Sequence, residues 1–141
     1  MAAPSGPVTK ERLKRYRRLK EEIERQGERL ARMESAIESP PKVLDGTPHS
    51  SFAADRLAIA VARKIALEDA MLASLKEEAA EVAEIERAIQ LLTDPQEREM
   101  LRLRYIDGYE WADICGQLNC SWTQTHRVHS RALQSILIKT S

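Results

Sequence analysis

The chain is predicted to be all-α, with a long N-terminal helical hairpin or coiled coil followed by a compact C-terminal head of three short helices. Charged residues make up 31% of the 141 residues, aromatic residues 4%, and there are only five glycines. This composition is typical of long helices and not of sandwiches or barrels. Apolar residues also recur at helical spacing along most of the chain, and the last third carries the cap and turn signals of short helices.

Residues 1–7 are small and proline-rich, so we expect a disordered tail. Residues 8–92 form the predicted helical region, and its first helix has an apolar residue at nearly every a and d position of a heptad. With Tyr16 at position a, these positions are occupied by Tyr16, Leu19, Ile23, Gln26, Leu30, Met33 and Ile37. Gln26 is the polar exception. A stripe this narrow favours a coiled-coil contact.

Three prolines and a glycine in residues 39–51 predict a loop that ends the first helix. A second helix is predicted from about Phe52 to Leu92. Its apolar seam contains Ile65, Leu72, Leu75, Ala79, Val82 and Ile89, with Glu68 and Glu86 as polar exceptions. Some 40 helical residues span about 60 Å, more than a small domain covers. We therefore expect the first helix to fold back along the second, and a second chain to cover it in a homodimer.

Residues 93–141 are predicted to form the head. Asp94 can cap a helix that begins at Pro95, with Glu97 completing a capping-box pattern, and Asp107-Gly108 ends this helix. A second short helix follows, with an amphipathic face of Trp111, Ile114, Cys115 and Leu118. After a tight turn at Asn119-Cys120, Ser121 caps the third helix in the pattern S-x-x-Q.

The third helix has two different sides. Its predicted packing side carries Thr125, Val128, Ala132 and Ile136, with Leu133 beside them. The opposite side is polar and contains the candidate DNA-binding residues Trp122, Thr123, Gln124, His126, Arg127, Ser130 and Arg131. Two helices joined by a turn of about three residues, the second with polar donors on its outer side, form a helix-turn-helix. In a major groove, glutamine can bind adenine, arginine can bind guanine, and threonine or tryptophan can contact a thymine methyl group.

The stretch from Leu92 to Leu133 resembles region four of bacterial primary sigma factors. The shared pattern is P-x-E-R-E-x-L-R-x-R, then D-G, a helix, a turn, and S-x5-R-x3-R-A-L. RYIDGYEWADICGQLNCS followed by HRVHSRAL, with the VLDGTPHSS loop and the long N-terminal helical part, is similar to phage transcriptional regulators of the ArpU/RinA type. The resemblance implies promoter binding that activates phage late genes, and a phage- or prophage-encoded protein in the bacterial cytoplasm.

Matched position by position, the resemblance places the DNA-facing residues of sigma region four on Trp122, Thr123, Gln124, His126 and Arg127. Sigma factors favour arginine or glutamate where this chain has tryptophan, threonine and histidine, so its target sequence cannot be copied from the sigma consensus. Glu110 also stands where sigma factors usually have a threonine cap.

Local charge supports this interpretation, although the net charge is zero. Residues 119–141 carry Arg127, Arg131 and Lys139 and no acid, which suits entry into a groove. Residues 10–20 hold seven bases against one acid. We interpret that segment as a solvated flank of the coiled coil and not as a phosphate-binding site. If it did bind phosphate, changes at Lys10 and Arg12 would weaken binding evenly across DNA sequences.

Other functions receive less support. Cys115, Cys120, His126 and His129 are spaced C-x4-C-x5-H-x2-H, unlike the usual zinc finger, so we expect no metal and no cofactor. No nucleophile elbow, phosphate loop or metalloprotease motif predicts an enzyme, and no apolar run is long enough for a membrane span. Two alternatives stay open: an adaptor that contacts RNA polymerase with little DNA affinity, and a DNA-packaging subunit of the small terminase type.

Overall fold

The computed structural model describes residues 6–38 and 50–141, the second range without the side chains of residues 50 and 51. Within these ranges every regular element is helical, which confirms the all-α prediction. Most of the predicted loop at 39–51 and the first five residues of the predicted tail lie outside the described residues. No helix in the described ranges is long and apolar enough to cross a membrane.

Two long helices form the N-terminal pair. Helix α1 extends over Lys10–Glu38 and helix α2 over Ser50–Gln90. The first turn of α1 is closed by Thr9, whose hydroxyl accepts a hydrogen bond from the Arg12 backbone N–H at 3.1 Å, as expected of an N-terminal threonine. Two long helices in the predicted positions therefore precede the short ones.

Three short helices follow. Helix α3 spans Pro95–Leu101 and continues into a π-helical turn, Arg102–Ile106; helix α4 spans Trp111–Leu118, and helix α5 spans Trp122–Thr140. Asp94 caps α3 by accepting a hydrogen bond from the Gln96 N–H at 2.9 Å, with Pro95 in the first helical position as predicted. The π-helical turn was not predicted. It ends where Asp107-Gly108 was expected to stop the helix, and Gly108 has a φ of +80°.

The chain divides into two compact units. The head unit contains residues up to 20 together with 77–141, and the arm unit contains residues 21–76. Helices α1 and α2 each contribute residues to both units. The head unit therefore includes the N-terminal part of α1 and the C-terminal part of α2. Both parts were predicted to belong to the helical region, because the domain boundary was placed between residues 92 and 93.

Two apolar clusters form the core of the head unit. The larger joins α1, α2, the π-helical turn and α5, and its members include Leu13, Tyr16, Ile89, Tyr105 and Ile136. The smaller consists of Met100, Leu103, Ile114 and Val128, with Trp111 and Leu118 packed against it. Because both clusters draw on residues of α5, this helix is held along its whole inner side.

The arm unit is less enclosed. The predicted stripe of α1 is half-buried at each of its positions within this unit, from Ile23 to Ile37, whereas the residues between them are mostly exposed. A β-carbon placed on Gly27 would lie 3.5 Å from the Met71 methyl carbon, so the two helices approach closely there. None of the described residues of this unit is fully buried. The first helix does fold back along the second, but two helices alone do not enclose a core.

Candidate nucleic-acid interface

A three-residue turn joins α4 to α5 and fixes the start of α5. Asn119 adopts a left-handed conformation with φ +53°, which asparagine tolerates better than most residues. Its neighbour Cys120 donates a backbone hydrogen bond to the Cys115 carbonyl at 3.1 Å, closing the end of α4. Ser121 then caps α5, since its hydroxyl accepts a hydrogen bond from the Gln124 N–H at 3.1 Å. The predicted cap is confirmed.

The inner side of α5 is buried as predicted. Thr125, Val128, Ala132 and Ile136 are at most 1% exposed, and Leu133 packs half-buried against the larger cluster. Glu97 was expected to complete the capping box of α3; instead, its carboxylate is largely buried and accepts a hydrogen bond from the Ser135 hydroxyl at 3.3 Å. The inner side therefore binds α5 to α3 through both apolar and polar contacts.

The outer side of α5 brings the candidate DNA-binding residues together on one open surface. A shallow depression there is lined by Trp122, Thr123, Gln124, His126, Arg127, Ser130, Arg131 and Gln134. All seven predicted residues are in this set, and only Gln134 was not predicted. It lies one helical turn beyond Ser130 and Arg131, at a spacing that the helical repeat could have identified. Six of the seven predicted residues are exposed.

His126 is the exception, because its imidazole is held between two tryptophans. Its ring centroid lies 4.5 Å from that of Trp111 in α4 and 4.5 Å from that of Trp122. Its Nε2 is buried and has no hydrogen-bond partner among the described residues. Trp111 also contacts the Arg104 guanidinium, which lies 4.3 Å from the indole centroid, within the range of a cation–π contact. His126 therefore supports the neighbouring side chains at least as much as it faces outward.

Trp122 is the exposed end of this aromatic column. It remains 57% exposed although it contacts His126. The two rings meet at an interplanar angle of 55°, so part of the indole lies against His126 and the rest is open to solvent. Trp122 thus provides an apolar surface beside the polar side chains of the first turn.

His129 belongs to the interior. It is 6% exposed, and its Nε2 lies 2.7 Å from the Tyr105 hydroxyl. Burial lowers the pKa of His129 to about 4, with the nearby charge of Lys10 as a second cause. Burial likewise raises the pKa of Tyr105. The imidazole is therefore neutral near pH 7 and joins α5 to the π-helical turn.

Three of the four residues that suggested zinc have hydrogen-bond partners, and the fourth, His126, contacts two tryptophans. The Cys115 thiol donates to the Thr125 hydroxyl at 3.4 Å, and the Cys120 thiol donates to the Leu118 carbonyl at 3.3 Å. His129 is bound to Tyr105. Within residues 6–38 and 50–141, no three His, Cys, Asp or Glu side chains are grouped as metal ligands.

The seven basic side chains of residues 10–20 in α1 fall into two groups, those bound within the protein and those exposed to solvent. Arg12 donates to both Glu81 and Glu84, Arg17 donates to Glu110 at 2.9 Å, and Lys20 donates to the Ile106 carbonyl. These three bases are engaged within the protein, so the interpretation of the segment as a solvated flank was wrong for them, and these contacts do not support the alternative of a phosphate contact at Arg12 either. The remaining four bases, Lys10, Lys14, Arg15 and Arg18, are exposed.

A family model matches residues 59–136, more than half of the chain. It is described as a protein of unknown function, DUF1492.

The chain belongs to the DUF1492 family.

The DUF1492 segment begins within α2 and ends at the last buried residue of α5. It therefore contains both the turn between α4 and α5 and the outer side of α5. A comparison with curated proteins found no match, and neither did one with solved structures.

Proposed function

We propose that this DUF1492 protein is a sequence-specific DNA-binding regulator of transcription that reads promoter DNA through α5. The supporting observation is the division of α5 into a buried inner side and an exposed outer side without acids. A short helix placed after a three-residue turn, with its polar side free, has the size and geometry that enter a major groove. In this proposal the protein is a binder and not an enzyme, and it is phage- or prophage-encoded and acts in the bacterial cytoplasm.

The exposed side chains fall into two groups: those that can contact base edges and those that can contact the phosphate backbone. Gln124 and Arg127 are both exposed and can make bidentate contacts with adenine and guanine. Trp122 presents an apolar surface suited to a thymine methyl group, and Thr123 can do the same on a smaller scale. Arg131 lies further along the helix and is suited to the phosphate backbone, which positions the helix without reading sequence.

The C-terminal residues of one chain carry little positive charge for tight binding to DNA. Arg127, Arg131 and Lys139 are the formal charges of residues 119–141, and each phosphate contact adds a modest, salt-dependent contribution. Two heads in one complex would raise the effective affinity without new contacts. The proposal therefore includes a homodimer joined through the helical region, with double-stranded DNA as the principal partner.

One observation favours a second candidate, an adaptor that contacts RNA polymerase. Trp122 is 57% exposed, and tryptophan is enriched at the centres of protein interfaces. In that case the outer side of α5 would bind protein, and its DNA affinity would be low and independent of sequence.

Selection of bound duplexes from a random DNA pool, with the full-length chain, separates the two candidates. We expect enrichment of a defined motif under competition with non-specific DNA. Recovery of a pool without sequence preference would reject the regulator and favour the adaptor.

The Arg127→Ala substitution tests the reading side on the selected motif. We expect specific binding to weaken by about 1–3 kcal/mol, with the loss confined to one base pair, because a bidentate arginine–guanine contact is removed. Competition binding assays with duplexes altered at single positions would measure this. Arg63→Ala is the matched control, since Arg63 is an exposed arginine of α2 in the arm unit. Equal selectivity of Arg127→Ala and wild type would contradict the assignment of Arg127.

A further inference from the structure

Helix α2 carries two stripes within the arm unit, and the more apolar one is not covered by α1. The half-buried residues of α2 include Ala60, Lys64, Leu67, Met71 and Ser74. The second stripe lies beside the first and consists of Leu57, Val61, Ile65, Leu72 and Leu75, which are 38% to 53% exposed. We call these five residues the outer stripe.

The outer stripe is large for an exposed surface. Five aliphatic side chains about half exposed present roughly 400 Å² of apolar surface, which is at the upper end of what a monomeric protein leaves in contact with water. The arm unit has no fully buried residue among those described. A helix pair with one apolar stripe against its partner and another on its outside is half of a four-helix bundle.

The spacing of the outer stripe indicates what covers it. Val61, Ile65, Leu72 and Leu75 are separated by four, seven and three residues, and Glu68 occupies the position between Ile65 and Leu72. This is the a/d pattern of a helix that packs along another helix. Glu68 places a charge in the seam, and Lys64 of the same helix, 3.4 Å from its carboxylate, offsets part of it.

We propose that the outer stripe is the interface of a parallel homodimer, in which the α2 helix of a second copy of this chain packs against it. Two outer stripes would bury about 800 Å² of apolar surface before the flanking side chains are counted, and stable interfaces begin at roughly 1,200 Å² in total. The two hairpins together form an intermolecular four-helix bundle, and residues that are half-exposed in one chain become its core.

Charge complementarity favours a second copy over an unrelated helix. Lys64 lies on one edge of the outer stripe, where it also contacts Glu34 of α1 at 3.8 Å and Glu68 at 3.4 Å, and Asp69 lies on the other edge, five residues later. In a parallel pair, this is the distance between a g position of one helix and the facing e position of its partner. The edge of each copy is thus complementary to the opposite edge of the other. This inference rests on the homodimer of the proposed function and specifies its interface. It does not depend on DNA binding, so loss of the dimer and loss of sequence-specific binding are distinguishable.

The test is the oligomeric state of the full-length chain in solution, measured by sedimentation equilibrium without DNA. We expect the wild type to have twice the mass of the 16.0 kDa chain, and Ile65→Glu/Leu72→Glu to be monomeric with unchanged helical content by circular dichroism. The matched control is Ala66→Glu/Ala73→Glu, which adds the same charges at the same spacing to exposed positions outside the stripe. It is expected to remain a dimer.

A wild type that is monomeric at about 100 μM, or a dimer that persists in Ile65→Glu/Leu72→Glu, would overturn the proposal. A second measurement guards against loss of folding in the glutamate variant. Under mild oxidation, Leu72→Cys is expected to form a disulfide-linked dimer at least tenfold faster than Ala73→Cys, because equal a positions face each other in a parallel pair. Equal rates would exclude this register.

Discussion

Two histidines three residues apart in α5 have different environments. His126 lies between Trp111 and Trp122, at the edge of the open surface. His129 is buried against Tyr105. The sequence placed His126 among the candidate DNA-binding residues and left His129 out of them. The geometry agrees for His129, whereas His126 combines a supporting contact with a position on the candidate interface.

Buried His129 makes the stability of the head depend on pH. Its pKa falls from 6.5 to about 4 on folding, so between these values the unfolded chain binds a proton that the folded chain does not. Stability therefore rises with pH in this window and is lost as the pH falls from about 6.5 to 4. We expect the contribution to reach up to about 3 kcal/mol, since one pKa unit corresponds to about 1.4 kcal/mol.

His129→Gln isolates this contribution, because glutamine can still form a hydrogen bond with the Tyr105 hydroxyl but does not titrate. Urea unfolding of both proteins at pH 7.0, 5.5 and 4.5 would give the free energy of unfolding. The difference between wild type and variant should shrink as the pH falls. A difference that is constant over this range would show that His129 is not buried in its neutral form.

At the scale of the element, α5 combines a structural side and an exposed side in one helix of 19 residues. The two sides follow from the helical repeat, since residues three and four apart share a side. The cap at Ser121 sets where the helix begins and therefore which residues occupy its exposed first turn. A shift of the start by one residue would rotate the outer side by about 100°.

Ile136→Ala and Ile138→Ala test the two sides with the same substitution. Ile136 is fully buried, whereas Ile138 is 73% exposed. We expect Ile136→Ala to lower the free energy of unfolding by about 2–5 kcal/mol through lost contacts and a cavity. Ile138→Ala should change it by no more than about 0.5 kcal/mol. Chemical denaturation would measure both, and similar losses in the two variants would mean that the inner side is misassigned.

Helix α2 shows how an element can have more apolar surface than one partner covers. The predicted seam of α2 is divided along its length: Val82 and Ile89 lie in or against the core of the head unit, whereas Ile65, Leu72 and Leu75 are exposed. The periodicity predicted an apolar seam correctly but could not specify which part would meet which partner.

At the scale of the molecule, the basic start of α1 is bound by acidic residues that are distant in sequence. Arg12 donates to Glu81 at 2.9 Å and also to Glu84, and its side chain is only 10% exposed. The hydrogen bond with Glu81 raises the pKa of Arg12. Tyr16 donates to Glu78 at 2.7 Å. These contacts hold the N-terminal part of α1 against the C-terminal part of α2 within the head unit.

Arg12→Ala should destabilise the head by about 2 kcal/mol, because it removes a largely buried guanidinium that donates to both Glu81 and Glu84. Arg15→Ala is the matched control. Arg15 is 70% exposed and lies 4.0 Å from Glu81, so its loss should cost about 0.5 kcal/mol or less. Thermal unfolding at low and moderate salt would compare the two. Equal effects would indicate that the buried pairs contribute no more than a surface contact.

Most of the helices could be predicted because their signals are local. Caps such as Asp94 and Ser121 act on backbone groups two or three residues away, and the turn at Asn119 depends on its own conformation. The candidate interface was predicted for the same reason, since all its members lie on one side of one helix. The π-helical turn was missed, because its longer repeat is set by packing and leaves no pattern in five residues.

The sequence by itself determined the all-α class, the starts of α3 and α5 and the outer side of α5, because these depend on neighbours within about one helical turn. Only the tertiary structure decided which stripe of α2 meets α1, that His126 is held between two tryptophans, and that Arg12, Arg17 and Lys20 are engaged within the protein. The partners of these side chains lie on other elements, up to about 90 residues away, and periodicity carries no information about contacts at that separation.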